Sequence, residues 1–113
     1  MSQYIPDTGD IVWLEFSPHA GSETAGRHPA VILSRRDYSV ATGLALVVPI
    51  TSKQKGGSFE VVFRGTGGIR GVALANELRT VDYMVRRAEK RDVCPGDALV
   101  RIKQIAHALI EGD

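Results

Sequence analysis

Apolar residues recur at two spacings along this chain, and the switch between them divides it. Over Asp10–Phe16 the residues alternate as in a strand: Ile11, Trp13 and Glu15 fall to one side, Val12, Leu14 and Phe16 to the other. A turn cluster, Pro6-Asp7-Thr8-Gly9, precedes it. Residues 30–33 form a short continuous apolar run, the signature of a buried strand, and residues 44–50 form another. Pro49 predicts an edge or a bulge near the end of that second run, because proline offers no N–H to a ladder. Residues 59–64 alternate again, and 71–75 and 78–81 complete the strands, with turn-rich stretches at 17–26, 53–58 and 65–68. After residue 94 the period lengthens. Leu99, Ile102, Ile105, Ala106, Leu109 and Ile110 recur at three and four, which predicts an amphipathic helix of about four turns. It starts at Cys94-Pro95-Gly96-Asp97, with proline tolerated and aspartate favoured in the first turn, and ends near Gly112. The expected class is mainly β (α+β): a small curled antiparallel sheet or barrel capped by a C-terminal helix. With no repeat and no linker, one domain spans 1–113.

Composition narrows the setting. The chain is 43% hydrophobic and 24% charged, with a net charge of +1, which excludes wholesale disorder and a polyionic tail. The single cysteine, Cys94, excludes an intrachain disulfide and a cysteine-only zinc site. No apolar run approaches a membrane span, and the first residues show no signal-peptide pattern, so the expected location is the cytoplasm. The near-neutral total hides an asymmetry. Residues 1–26 carry Asp7, Asp10, Glu15 and Glu23 and no cation, whereas 27–70 carry seven cations against Asp37 and Glu60. Ten of the fourteen cations are arginine, the better fork for phosphate.

The histidines His19, His28 and His107 form no metal-binding spacing, and neither a phosphate-cradling glycine loop nor a dinucleotide fingerprint occurs. No cofactor is expected. The polar stretch 21–29 brings Glu23, Arg27 and His28 up to the buried strand at Ala30. A guanidinium there neutralises phosphate and an imidazole moves protons near neutral pH, although a solvated loop has the same composition. Thr51, Ser52 and Lys53 follow the end of a strand and offer two hydroxyls and an ammonium to a phosphate oxygen, or simply begin a turn. Between Arg79 and Arg91 five cations outnumber Asp82 and Glu89, the footprint of a polyanion or of a solvated basic face. Trp13, Phe16, Tyr38 and Tyr83 can stack bases.

In this order Tyr4-Ile5-Pro6-Asp7-x-Gly9-Asp10-Ile11-Val12-Trp13, Gly21-Ser22-Glu23-x-Ala25-Gly26-x-x-Pro29-Ala30-Val31, Thr42-Gly43-Leu44, Pro49-x-Thr51, Lys55-Gly56-x-x-Phe59-Glu60-Val61 and Gly71-Val72-Ala73-Leu74-Ala75 resemble the MazF/PemK family of toxin endoribonucleases over nearly the whole chain. The resemblance implies an SH3-like barrel with a C-terminal helix. It implies a homodimer that cleaves single-stranded RNA, often mRNA, at a short sequence without a metal, leaving a 2′,3′-cyclic phosphate and a 5′-hydroxyl. A cognate antitoxin would block the RNA groove. Carried over by position, the catalytic threonine is Thr51 and the loop glutamate Glu23. The family's arginine before the proline falls on His28, with Arg27 preceding it, so the usual order is inverted. Either Arg27 swings in and His28 serves as base or acid, or the guanidinium misses the phosphate; an active enzyme is the expectation, a binding module on the same barrel the alternative. A gyrase poison on a related barrel fits less well, since it would not require Glu23 and Thr51. The acidic or amide position of the later strand falls on Asn76 or Glu77, with Arg79 as a phosphate contact. Trp13, Phe16, Ser52 and Lys53 complete the expected RNA-binding set.

Overall fold

The computed structural model describes residues 3–16 and 26–112. They form β1 (Asp10–Phe16), β2 (Gly26–Ile32), α1 (Arg36–Thr42), β3 (Leu44–Thr51), β4 (Glu60–Arg64), β5 (Arg70–Leu74), β6 (Arg79–Asp82), β7 (Glu89–Val93) and α2 (Gly96–Glu111). The strands make one antiparallel sheet in the order β4-β5-β3-β2-β1-β7, with β6 added to β3. No described helix is long and apolar enough to cross a membrane.

The sheet is curled into a half-barrel and buried on both faces. Alternate residues of β1 feed two different cores. Ile11 joins Val31, Val48, Phe63 and Ile102 on the face covered by α2. Val12 and Leu14 join Ala30, Ile32, Val47 and Tyr83 on the other. Two-sided burial is why β2 and β3 read as near-continuous apolar runs rather than alternating ones. The α2 stripe is shorter than its periodicity suggests: Ala98, Ile102, Ile105 and Ala106 are buried, whereas Leu109 and Ile110 are 46% and 74% exposed. Pro95 caps the helix rather than entering its first turn.

Pro49 is neither on an edge nor in a bulge. β3 pairs with β2 on one side, and on the other first with β6, up to Val47↔Arg79, then with β5, from Ile50↔Ala73. Pro49 falls in the gap between those two partners, where no donor is needed. Two elements escaped the sequence reading. α1 has no capping side chain of its own; the carboxylate of Asp7, 29 residues upstream, accepts the Arg36 N–H at 2.9 Å. The Thr8 N–H first, and then that bond, hold the Asp7 carboxyl below the usual carboxylate range. β7 is a polar strand with one buried residue, Asp92, and is created by pairing with β1.

Asp92 joins the two ends of the strand order. Its carboxylate accepts N–H groups from Gly67 at 2.6 Å, Ile69 at 2.9 Å and Val93 at 2.7 Å, and the Thr66 N–H donates to the Val93 carbonyl at 3.0 Å. The β4–β5 turn is thereby fastened to β7. It can approach because residues 65 and 67 are glycine: a Cβ on either would intrude on the Asp92 carboxylate. Burial alone would raise the Asp92 carboxyl, but the N–H groups of Ile69, Val93 and Gly67 outweigh it and hold the group below its ordinary range.

Replacing Asp92 with alanine strands these donors and is expected to cost about 2–4 kcal/mol, read as the urea midpoint. Because the folded-state carboxyl is depressed, its contribution is full at pH 7, above the unfolded value of about 3.9, and fades as pH falls below it. The gap between wild type and Asp92→Asn is therefore wide at pH 7 and narrows at pH 3.

Candidate nucleic-acid interface

Strand alternation decides which side chains share the site. Ala30 faces Pro49 in the β2–β3 ladder, so the face that holds Ala30 and Val47 continues to His28 on β2 and Thr51 on β3. By strand alternation His28, two residues before Ala30, and Thr51, two residues after Pro49, fall on that same face. Past the second core this face is open. There Thr51, Lys53, Lys55, Phe59, Asn76 and Glu77 line a groove of about 320 Å³, with Glu60 and Leu74 in its wall. Four of the residues expected from sequence, Thr51, Lys53, Asn76 and Glu77, are thus brought together. The Thr51 hydroxyl oxygen accepts the Lys53 N–H at 3.2 Å, which shapes the turn after β3 and leaves an O–H hydrogen to donate. Glu60 accepts the Lys55 N–H at 3.0 Å and the Gly56 N–H at 2.9 Å, fixing the lysine-bearing loop.

The structure separates the remaining candidates. Arg27 lies on the opposite face of β2 from His28, as adjacent strand residues must. Its guanidinium donates to the carbonyls of Trp13 at 3.2 Å and Arg87 at 3.1 Å, and lies 3.9 Å from Glu89. Trp13 pairs with Pro29 on that same face, away from the groove. Ser52 lines a neighbouring hollow with Gln54 and Val72. Arg79 opens β6 opposite Val47, so it shares the face of His28 and Thr51 without lining the groove. Glu23 and the side chain of Phe16 lie outside the described residues. Phe59, Lys55 and Glu60 are groove residues that the sequence reading assigned only to a turn and a strand; the motif Lys55-Gly56-x-x-Phe59-Glu60 was the available signal.

The basic stretch 79–91 is largely consumed within the fold. Arg87 pairs with Glu15 at 3.3 Å, Lys90 with Asp10 at 3.3 Å and Arg91 with Glu89 at 2.8 Å, and the Arg86 guanidinium donates to the Glu15 carbonyl at 3.3 Å. The acidic N-terminal segment is their counterweight. Tyr83 is buried in the second core, so it stacks nothing from outside, whereas Tyr38 stands exposed on α1. Among the described residues no three metal-ligating side chains converge. Burial and the nearby Asp97 push the Cys94 thiol up to about 11, so it stays protonated at neutral pH.

A family model described as PemK-like, MazF-like toxin of type II toxin-antitoxin system matches residues 7–110. Over 110 residues the chain is 42% identical to the Endoribonuclease toxin MazF of Escherichia coli (strain K12), covering 97% of this chain and 98% of that one. Its structure is similar to that of MazF (Form-I) from Deinococcus radiodurans, with a TM-score of 0.85 and 42% identity over 96% of this chain and 98% of that one. It is also similar to MazE-MazF (Form-II) from the same organism, with a TM-score of 0.89 and 40% identity over 98% and 100%.

If Glu60 fixes the groove loop, Glu60→Ala releases the Lys55 and Gly56 amides. Their hydrogen exchange is expected to quicken roughly tenfold relative to wild type, with amides of the β1–β2 ladder unchanged.

Proposed function

The chain belongs to the PemK-like and MazF-like toxins of type II toxin–antitoxin systems and is an endoribonuclease toxin; from that premise we propose that it cuts single-stranded RNA at a short sequence, using the ribose 2′-hydroxyl as nucleophile. The 2′-oxygen attacks the adjoining phosphorus and the P–O5′ bond breaks. The 2′ proton leaves to a base, and O5′ takes a proton from an acid. The products carry a 2′,3′-cyclic phosphate and a 5′-hydroxyl. The reaction asks for proton transfer and for donors to the phosphate oxygens, and it proceeds without a metal. RNA is cut and DNA spared because only RNA brings the nucleophile.

The observation that carries this reading is that His28 and Thr51 share a sheet face and that Thr51 lines a groove with Lys53 and Lys55. In it Thr51 donates to a phosphate oxygen, the two ammoniums offset the charge that builds on the phosphate, and His28 moves the proton. Arg27, engaged with two backbone carbonyls, is a positioning residue for the end of β2. Phe59 is 43% exposed at the groove and stacks a base, while Asn76 and Glu77 offer polar groups to base edges. The family motif adds Glu23 to this set. The same reading gives the protein a homodimeric state, a cognate antitoxin that covers the groove, and a cytoplasmic place of action. Arg27 turned from the groove favours a second reading, a module that holds RNA or antitoxin but cuts poorly.

Purified protein incubated with mixed-sequence single-stranded RNA in excess chelator separates the two. Cuts at a recurring motif with cyclic-phosphate ends are expected; a folded protein that binds RNA and leaves it intact selects the second reading. Thr51→Ala is expected to slow cleavage about 100-fold with thermal stability unchanged. His28→Ala is expected to cost about 100- to 10,000-fold and Arg27→Ala clearly less; the reverse ranking would return the phosphate-clamp role to Arg27.

A further inference from the structure

The face that carries Thr51 runs on beyond the groove. Outward positions alternate along the β4–β5 hairpin, and its ladder pairs Glu60 with Leu74, Val62 with Val72 and Arg64 with Arg70. The hairpin face therefore changes from a polar end beside Thr51, through a valine pair, to two directly opposed arginines. Like charges facing each other across an antiparallel pair are destabilising. Neither Arg64 nor Arg70 has an ion-pair partner among the described residues, although Arg87, Lys90 and Arg91 do. Both guanidiniums, with Ser52, Gln54, Val62 and Val72, line a hollow of about 550 Å³ that contains no carboxylate. Val62 is 56% exposed at its floor. On its other flank Arg64 borders Arg101 and Asp97 of α2, and the Asp97 carboxylate accepts the Ala98 N–H at 2.9 Å. Planar cationic forks above an apolar floor, with a hydroxyl and an amide at the rim, suit a phosphate preceded by a stacked base.

We propose that the Arg64–Arg70 pair binds a backbone phosphate of the RNA strand outside the cleavage groove, with the Val62–Val72 floor carrying the nucleotide between. Thr51 pairs with Val72, so Arg70 lies two residues further along β5, about 7 Å at strand rise. Thr51, Val72 and Arg70 follow one another on one face of the sheet, so a single strand leaving the groove along that face meets the pair. The cost of opposing two arginines in the free protein is then relieved by the ligand. Ser52, which sits apart from Thr51, finds its place here as a hydrogen-bond donor to the same phosphate.

This inference rests on the ribonuclease reading, and its test does not require cutting. Fluorescence anisotropy is measured with RNA carrying a 2′-deoxy sugar at the cleavage position, in a short form limited to the cleavage motif and a long form with flanks on both sides. The protein is compared with R64Q/R70Q across 50–200 mM salt. The long RNA is expected to lose roughly tenfold more affinity than the short one. The slope of log affinity against log salt on the long form should fall by about 0.7, the value for one phosphate contact on a single strand. R64K/R70K keeps the charge and is expected to restore most of that slope, which rules out misfolding as the cause. Equal losses on both lengths, or none on the long form, would overturn the proposal. So would a change in sedimentation mass at constant RNA affinity, which would assign the face to a second copy of the chain. Failure of wild type to cut any RNA would sink the ribonuclease reading while leaving the length and salt dependence to judge this one.

Discussion

The ends of the strand order, β4 and β7, meet through the turn that Asp92 holds, and the geometry of the site follows from that meeting. One buried carboxylate gathers three N–H groups from two elements that share no ladder. It makes the sheet curl far enough to enclose two cores, and it orients the β4–β5 hairpin whose outer face continues the face of Thr51. The two glycines that let the turn approach are part of the same constraint. Desolvating an acid is costly, and here the cost is offset because every oxygen finds donors.

Charge is apportioned in a second, independent way. Acidic residues of the first strand and its approach neutralise the cations of β7 and the turn before it, so that region, the densest in arginine and lysine, is structural. Lys53, Lys55, Arg64 and Arg70 have no ion-pair partner among the described residues and lie on the half of the sheet where the second core gives out and the outer face is open. A chain of net charge +1 thereby gathers cations on the face where a polyanion is handled, with Glu60 and Glu77 beside them in the groove.

Much of this was legible from residue patterns, and the exceptions have physical reasons. β1 and α2 carry strong periodicity and appear where it put them; the family motifs pointed to Thr51, Asn76 and Glu77 and the polar stretch after the third strand to Lys53, and all four share a groove. β7 was hidden because Glu89-Lys90-Arg91-Asp92-Val93 has no strand propensity worth the name; it is a strand only through its ladder with β1. α1 was hidden because its cap comes from Asp7, far off in sequence. The basic stretch 79–91 looked like a binding surface because its acidic partners are equally remote. For Arg27 and His28 the alternation rule was sufficient to separate their faces, but which face led to Thr51 required the β2–β3 register.

Pro49 has a consequence for the accuracy of strand pairing. Facing Ala30 without an N–H of its own, it fits the ladder with β2 only where its nitrogen is turned away, toward the gap between β6 and β5. A slip of β3 by one residue would turn that nitrogen toward β2 and remove a bond from the ladder. It would also exchange the two sheet faces and send Thr51 inward. A missing donor in the middle of the sheet thus works as a registration mark, and it keeps the hydroxyl two residues later on the outside.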